Sequence, residues 1–178
     1  MNRALALEAA GNEKEALTAY GKAVEASKDN AELRYAYALL LAKSDQTDAA
    51  KKQLAEVGRL SKDARVLAAA ADLLAQLKDF DQCVQLFGQA IKAEESAVLY
   101  VRRGVCEHGR KQDSAALADY TKALELDPEA PQAHYYLGLQ YKQAGDKKKA
   151  CEHLAKAAAG EGQYAKAAAK QGASMGCK

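Results

Sequence analysis

One pattern recurs along this chain at a fixed period, and it leaves few folds open. A small residue is followed four positions later by a bulky one, and three after that by a small or apolar one. Ala16, Tyr20 and Ala23 form the first instance, then Ala50, Leu54 and Val57, then Cys83, Phe87 and Ala90. Ala116, Tyr120 and Ala123 follow, and Ala150, Leu154 and Ala157 close the series. The leading small residues are spaced by 34, 33, 33 and 34 positions. Positions i, i+4 and i+7 share one face of a helix. A period near 34 residues is that of a helix–turn–helix unit in tandem. One such unit cannot bury its apolar face alone, so successive units must stack.

The small and bulky alternation has a packing cause. Antiparallel helices come close only where one offers alanine or glycine and the other fills the gap with leucine, tyrosine or phenylalanine. Between the paired helices lie stop and cap residues: Gly11-Asn12, Ser44-Asp45, Lys78-Asp79 and Gly145-Asp146. Glycine tolerates the left-handed C-terminal position, and Asp and Asn cap the next helix. Asp127-Pro128 ends the fourth unit, because a residue before proline avoids the helical region.

The reading is all-α, with eleven helices. A shortened helix from Met1 precedes a second at about 13–27. Four pairs then span 30–57, 64–93, 97–126 and 131–159, and a last helix at about 161–171 covers the end of the array. As units these are a partial first repeat (1–29), four repeats (30–63, 64–96, 97–130 and 131–160) and a capping helix with tail (161–178), all in one domain. Two prolines, no tryptophan and abundant Ala, Leu, Lys, Glu and Gln suit helix interiors. The net charge of +2, from 26 basic and 24 acidic residues, asks for no nucleic acid and no anionic membrane. No apolar run approaches the ~18–20 residues that span a bilayer, so the chain is expected not to cross a membrane. Nor does a basic-then-apolar leader open it.

The stretch Ala130 to Ala157 holds His134-x-x-Leu137-Gly138-x-x-Tyr141, then Gly145-Asp146, then Ala150-x-x-x-Leu154-x-x-Ala157. The preceding unit runs from Tyr100-Val101-Arg102-Arg103-Gly104 to Ala118-Asp119-Tyr120-Thr121-Lys122-Ala123-Leu124-Glu125-Leu126-Asp127-Pro128. In these motifs, repeated in phase over nearly its whole length, the chain resembles the tetratricopeptide repeat (TPR) family, in particular bacterial TPR scaffold and adaptor proteins. It departs from the family pattern at the second turn, which lacks glycine, at Cys83 in a small slot, and at Glu107, where a large aromatic is usual. Arg103 stands four residues before Glu107, and on a helix the two can pair, which would make that substitution tolerable.

The resemblance implies a right-handed α-solenoid of antiparallel helix pairs with a C-terminal capping helix. Its concave groove, lined by the first helix of each pair, would hold an amphipathic helix or extended peptide of a protein partner. Carried over position by position, the groove residues are Tyr35 and Leu39, then Arg65 and Asp72, then Val98, Val101, Arg102 and Val105, then Tyr135, Tyr136 and Leu139. Val98, Val101 and Val105 recur at i, i+3 and i+7. Tyr135 and Tyr136 are adjacent, so at least one should reach the concave side. Packing between repeats is the competing account of these apolar side chains. The carboxylate clamp of chaperone-binding repeats is not expected: its positions carry Tyr35 and Leu39, Ala69, then Val98 and Arg102, and only Arg102 fits.

Chemistry finds little purchase. His108, His134 and His153 form no ligand set, and no phosphate loop, nucleophile motif or metal spacing occurs. No cofactor, no metal and no catalysis are expected. The Lys147-Lys148-Lys149 run reads as a solvated helix start. Cys83 and Cys106 read as inert core thiols. Cys151 and Cys177 differ, because a capping helix running back antiparallel returns the terminus toward Cys151. A disulfide there would stabilise by roughly 3–4 kcal/mol in the chain-entropy model, and this end resembles that of exported bacterial TPR proteins. Two free thiols in a reducing cytoplasm are the alternative. The expected function is a non-catalytic scaffold within a multiprotein complex. Self-association through the shortened first repeat, giving a homo-oligomer, is the second reading, and redox-sensitive binding a third.

Overall fold

The computed structural model describes residues 2–177, and among them the chain is helical throughout, with no strand. Eleven helices follow one another: α1 (Asn2–Ala9), α2 (Glu13–Ala26), α3 (Ala31–Lys43), α4 (Thr47–Leu60), α5 (Ala64–Gln76), α6 (Phe80–Ala93), α7 (Ala97–Gly109), α8 (Asp113–Leu126), α9 (Pro131–Gln143), α10 (Lys147–Ala159) and α11 (Gly162–Met175). They fall into two compact units, Met1–Glu94 with α1 to α6 and Glu95–Lys178 with α7 to α11.

Within each pair the periodic residues meet as close packing requires. Ala16, Ala50, Cys83, Ala116 and Ala150 on the second helices are all fully buried. So are Tyr20, Leu54, Phe87, Tyr120 and Leu154 one turn later. The first helices answer with small residues at the same period: Ala4, Ala38, Ala71, Gly104 and Gly138 are all buried. The last two leave no room for a side chain. A β-carbon on Gly104 would stand 2.5 Å from Tyr120 Cε1, and one on Gly138 would stand 2.7 Å from Leu154 Cγ. A bulky ring or branched side chain therefore sits directly on the opposing backbone.

The turns inside the pairs repeat a conformation rather than a residue. Gly11, Asp45, Lys78, Lys111 and Gly145 all have positive φ, between 56° and 80°. Asp45 is thus the left-handed residue of its turn and not the cap, which falls to Gln46. The turn at Lys111-Gln112, which carries no sequence signal, adopts the same geometry. Asp79 and Asp146 do cap, accepting from the backbone N–H of Gln82 and Lys149. α11 runs four residues past its expected end at Gln171. It continues through Gly172, which is buried beside the Cys177 side chain, and stops at left-handed Gly176.

In the first unit, Ala4, Ala16, Tyr20, Val24, Leu33 and Leu40 form the core of α1 to α3. In the second, Val101, Ala116, Tyr120, Ala123, Ala130, Ala133 and Leu137 bind α7 and α8 to α9. Leu154 and Ala157 of α10 pack with Ala168 of α11. Arg103 does not pair with Glu107. Its Nε and Nη2 donate to Asp119 at 2.8 and 2.6 Å, crossing from α7 to α8, while Glu107 accepts from Arg110 at 3.3 Å. The two-pronged bond to a buried carboxylate is stronger than a pair along one helix, so it takes the guanidinium.

Candidate partner-binding site

The first helices of neighbouring pairs lie side by side within each unit, and most of the groove candidates sit on them. In the first unit Lys43 of α3 donates to Glu8 of α1 at 3.1 Å, and Tyr35 of α3 lies close enough to Asp72 of α5 to feel its charge. Burial first, and then Asp72, push the Tyr35 hydroxyl above the usual phenol range. Tyr35, Leu39 and Asp72 are half-buried. Arg65 is almost wholly in water, its guanidinium 3.4 Å from Asp63 at the start of α5. The edge presented here is an aromatic and an aliphatic side chain flanked by charge.

In the second unit His108 of α7 stands 3.2 Å from the Gln140 side chain of α9. On α7, Val98 is 48 % exposed, Arg102 is exposed and Val105 is half-buried. Val101 is a correction: at 5 % exposure it belongs to the core with Tyr120 and Leu137. Successive residues turn by 100°, so Val105 returns to within about 20° of Val98 whereas Val101 falls about 60° away, toward α8 and α9. The stripe read as one surface is split by the wheel.

Tyr135 and Tyr136 are also divided. Tyr136 stacks on buried Tyr120 at 5.3 Å. Tyr135 packs with Leu154, Ala157 and Ala168 under α11. Both rings meet Tyr164 of α11, at 5.9 and 5.7 Å. Tyr164 was not among the sequence candidates, and the nearness of a third tyrosine to a terminal glycine turn was its only signal. Burial, then the charge and hydroxyl of Tyr164, hold the Tyr136 hydroxyl well above the usual range. Leu139 is half-buried on the same helix.

Several polar groups elsewhere pair with one another. His134 is buried, its Nε2–H donating to the Pro128 carbonyl at 3.0 Å, which leaves Nδ1 to accept from His153 Nδ1 at 2.9 Å. Burial, with His134 and two lysines nearby, holds His153 below the usual imidazole value. Tyr20 donates to Glu8 at 3.1 Å, and burial followed by that carboxylate raises its hydroxyl to about 12. Among the described residues no group of three His, Cys, Asp or Glu could hold a metal ion. No helix among them is long and apolar enough to cross a membrane.

The cysteines depart from expectation in part. Cys83 and Cys106 are buried as expected, but neither is a free thiol: both are disulfide-bonded. A small apolar slot and a half-cystine look alike in sequence, which is why the pattern misled. Cys151 and Cys177 are joined to each other across 26 positions, with Cα atoms 5.4 Å apart. At the other end of the chain, α1 and α2 enclose a groove of about 370 Å3 lined by Leu7, Ala19 and Thr18 with Arg3, Lys14 and Lys22.

Comparison with known proteins follows the same architecture. Tetratricopeptide repeat models match residues 7–73 and 64–96, and a TPR repeat model matches 108–145. A crystal structure of MamA is 19 % identical over 96 % of this chain and 98 % of its own, with a TM-score of 0.73. MamA from Desulfovibrio magneticus RS-1 is 23 % identical, covering 88 % and 89 %, at 0.68. YrrB, described as a TPR protein with an unusual peptide-binding site, is 22 % identical over 88 % and 82 %, at 0.67. At these identities the likeness establishes the fold.

Proposed function

We propose, for a chain that belongs to the tetratricopeptide-repeat family, a non-catalytic role as an interaction scaffold that holds a segment of a protein partner along its first helices. The observation that carries this reading is Val98. Among the described residues it is one of few large apolar side chains left in water, on a first helix, with Arg102 one turn away. Arginine and tyrosine dominate interface energies when a partner buries them. Val98, Arg102 and Val105 with Tyr136 and Leu139 in the second unit suit a helix or extended peptide with apolar anchors, and Tyr35, Leu39, Arg65 and Asp72 give the first unit an amphipathic surface of its own.

The test is affinity capture from lysate of the source cells, read by mass spectrometry, with Val98→Glu and Tyr35→Ala run beside the wild type. Both variants change side chains outside the buried core, so folding is expected to survive and circular dichroism checks it. A protein captured by the wild type and lost with either variant establishes the surface and names its ligand. Equal capture by all three moves binding elsewhere.

Self-association is a second reading, favoured by the α1–α2 groove and by Leu5, 44 % exposed on α1. It predicts a mass that rises with concentration in light scattering and falls for Leu5→Glu.

A further inference from the structure

The terminal helix α11 buries few side chains fully: its larger ones, Tyr164 and Met175, are only partly covered where they pack on its neighbours. Only Ala165, Ala168 and Gly172 are buried, and side chains of one carbon or none bring little apolar area. Gln163, Lys166, Ala169, Lys170, Ala173 and Ser174 all face water. The surface beneath is of another kind: Leu154 and Ala157 of α10, with Tyr135 of α9 beside them, form an apolar shelf. Tyr164 reaches back from α11 to Tyr135 and Tyr136. Lys142 holds Gln171 at 2.8 Å in water. The covalent tie is at the far end, where left-handed Gly176 turns the chain and Cys177 closes onto Cys151. At the near end the chain enters through exposed Gly160-Glu161-Gly162, with Gly162 at φ 86°. Both cysteines are only half-buried, and reduction of such a bond begins with a thiolate attacking one of its sulfurs.

We propose that the α9–α10 face under α11 is an exchangeable helix-binding site, kept closed by the Cys151–Cys177 bond. Once the bond is reduced, it takes in trans a partner helix that presents a tyrosine followed by small residues one, four and eight positions later. The resident helix supplies that specification, through Tyr164, Ala165, Ala168 and Gly172. Opening needs a dithiol reductant. It gives two electrons and two protons to the bond, leaves Cys151 and Cys177 as thiols, and becomes a disulfide itself. The site is separate from the first-helix surface proposed above, apart from the ring of Tyr136, and it stands whether or not that surface binds a partner.

The test uses the full chain with Cys151→Ser and Cys177→Ser, which removes the tie and leaves Cys83 and Cys106 as they are. The probe is a fluorescent peptide of residues 161–177 with serine in place of Cys177. Hydrogen exchange is expected to show α11 amides losing protection about tenfold or more in the variant while α9 and α10 keep theirs. Fluorescence anisotropy is expected to show the peptide binding the variant at least about tenfold more tightly than the oxidised wild type. Tyr135→Ala in the variant background should weaken that binding, and Val98→Glu should not. An α11 protected equally with and without the bond overturns the proposal. So does a peptide that binds both proteins alike or neither, and so does loss of protection throughout α9 and α10, since the face would then not outlast its latch. A variant that dimerises by exchanging α11 supports it.

Discussion

The Arg103–Asp119 pair offers the sharpest quantitative test of the fold. Two bonds of 2.8 and 2.6 Å join a guanidinium 26 % exposed to a carboxylate 8 % exposed. In Arg103→Met the carboxylate stays nearly out of water with no cation beside it. Breaking a fully buried pair from one side costs about 3–5 kcal/mol. Here a quarter of the arginine is open, so water can enter the vacated space, and we expect a loss of about 2–4 kcal/mol. In Arg103→Met with Asp119→Leu nothing charged remains to be orphaned, and the cost should fall to about 1 kcal/mol or less. The four proteins of this cycle are unfolded in urea under oxidising conditions and followed by circular dichroism at 222 nm, a helix band. A loss below about 1 kcal/mol for Arg103→Met, or a double variant as costly as the two single changes summed, would refute the account.

Other consequences follow from the same structure. Gly104→Ala and Gly138→Ala press a methyl group onto Tyr120 and Leu154, and each should lower stability by about 1–3 kcal/mol in the same denaturation assay. Lys111→Gly and Lys78→Gly relieve side chains held at φ 63° and 56°, and each should raise stability by about 0.5–1 kcal/mol, seen as a higher Tm. His153 is held below its ordinary value of 6.5 by burial, so the unfolded chain takes up the proton first as pH falls. The stability it contributes is therefore intact above about pH 6.5 and is lost on acidification toward the folded value. Midpoints for wild type should fall more steeply than those of His153→Gln between neutral pH and pH 5, and parallel curves would count against the assignment.

The repeat was legible because packing and period say the same thing. Every leading position from Ala16 to Ala150 is fully buried together with the bulky residue one turn on, and Tyr120 and Leu154 fill the gaps left by Gly104 and Gly138. Local rules served less well where tertiary geometry decides. Arg103 had a partner within reach on its own helix, yet the carboxylate across the pair offers two bonds and less water. Lys111 takes a glycine's conformation with nothing in its type to announce it, and only its distance from Gly145 and Lys78 could have shown it. Among the groove candidates, Val101 lay on the wrong side of a 60° difference that spacing alone blurs. Tyr164 went unnoticed because a terminal helix was read as a cover rather than as a source of contacts.

The bond between Cys151 and Cys177 also turns the end of the chain into a covalent ring that holds all of α11. A protease that cuts the exposed Gly160-Glu161-Gly162 bend breaks the backbone and frees no fragment, because the sulfur bridge still joins the pieces. Nicked and intact molecules would migrate alike on a gel until reductant is added, and only then would a short tail peptide come away. Damage at this bend can accumulate unseen in an oxidising setting and reach the rest of the molecule only when the ring is opened.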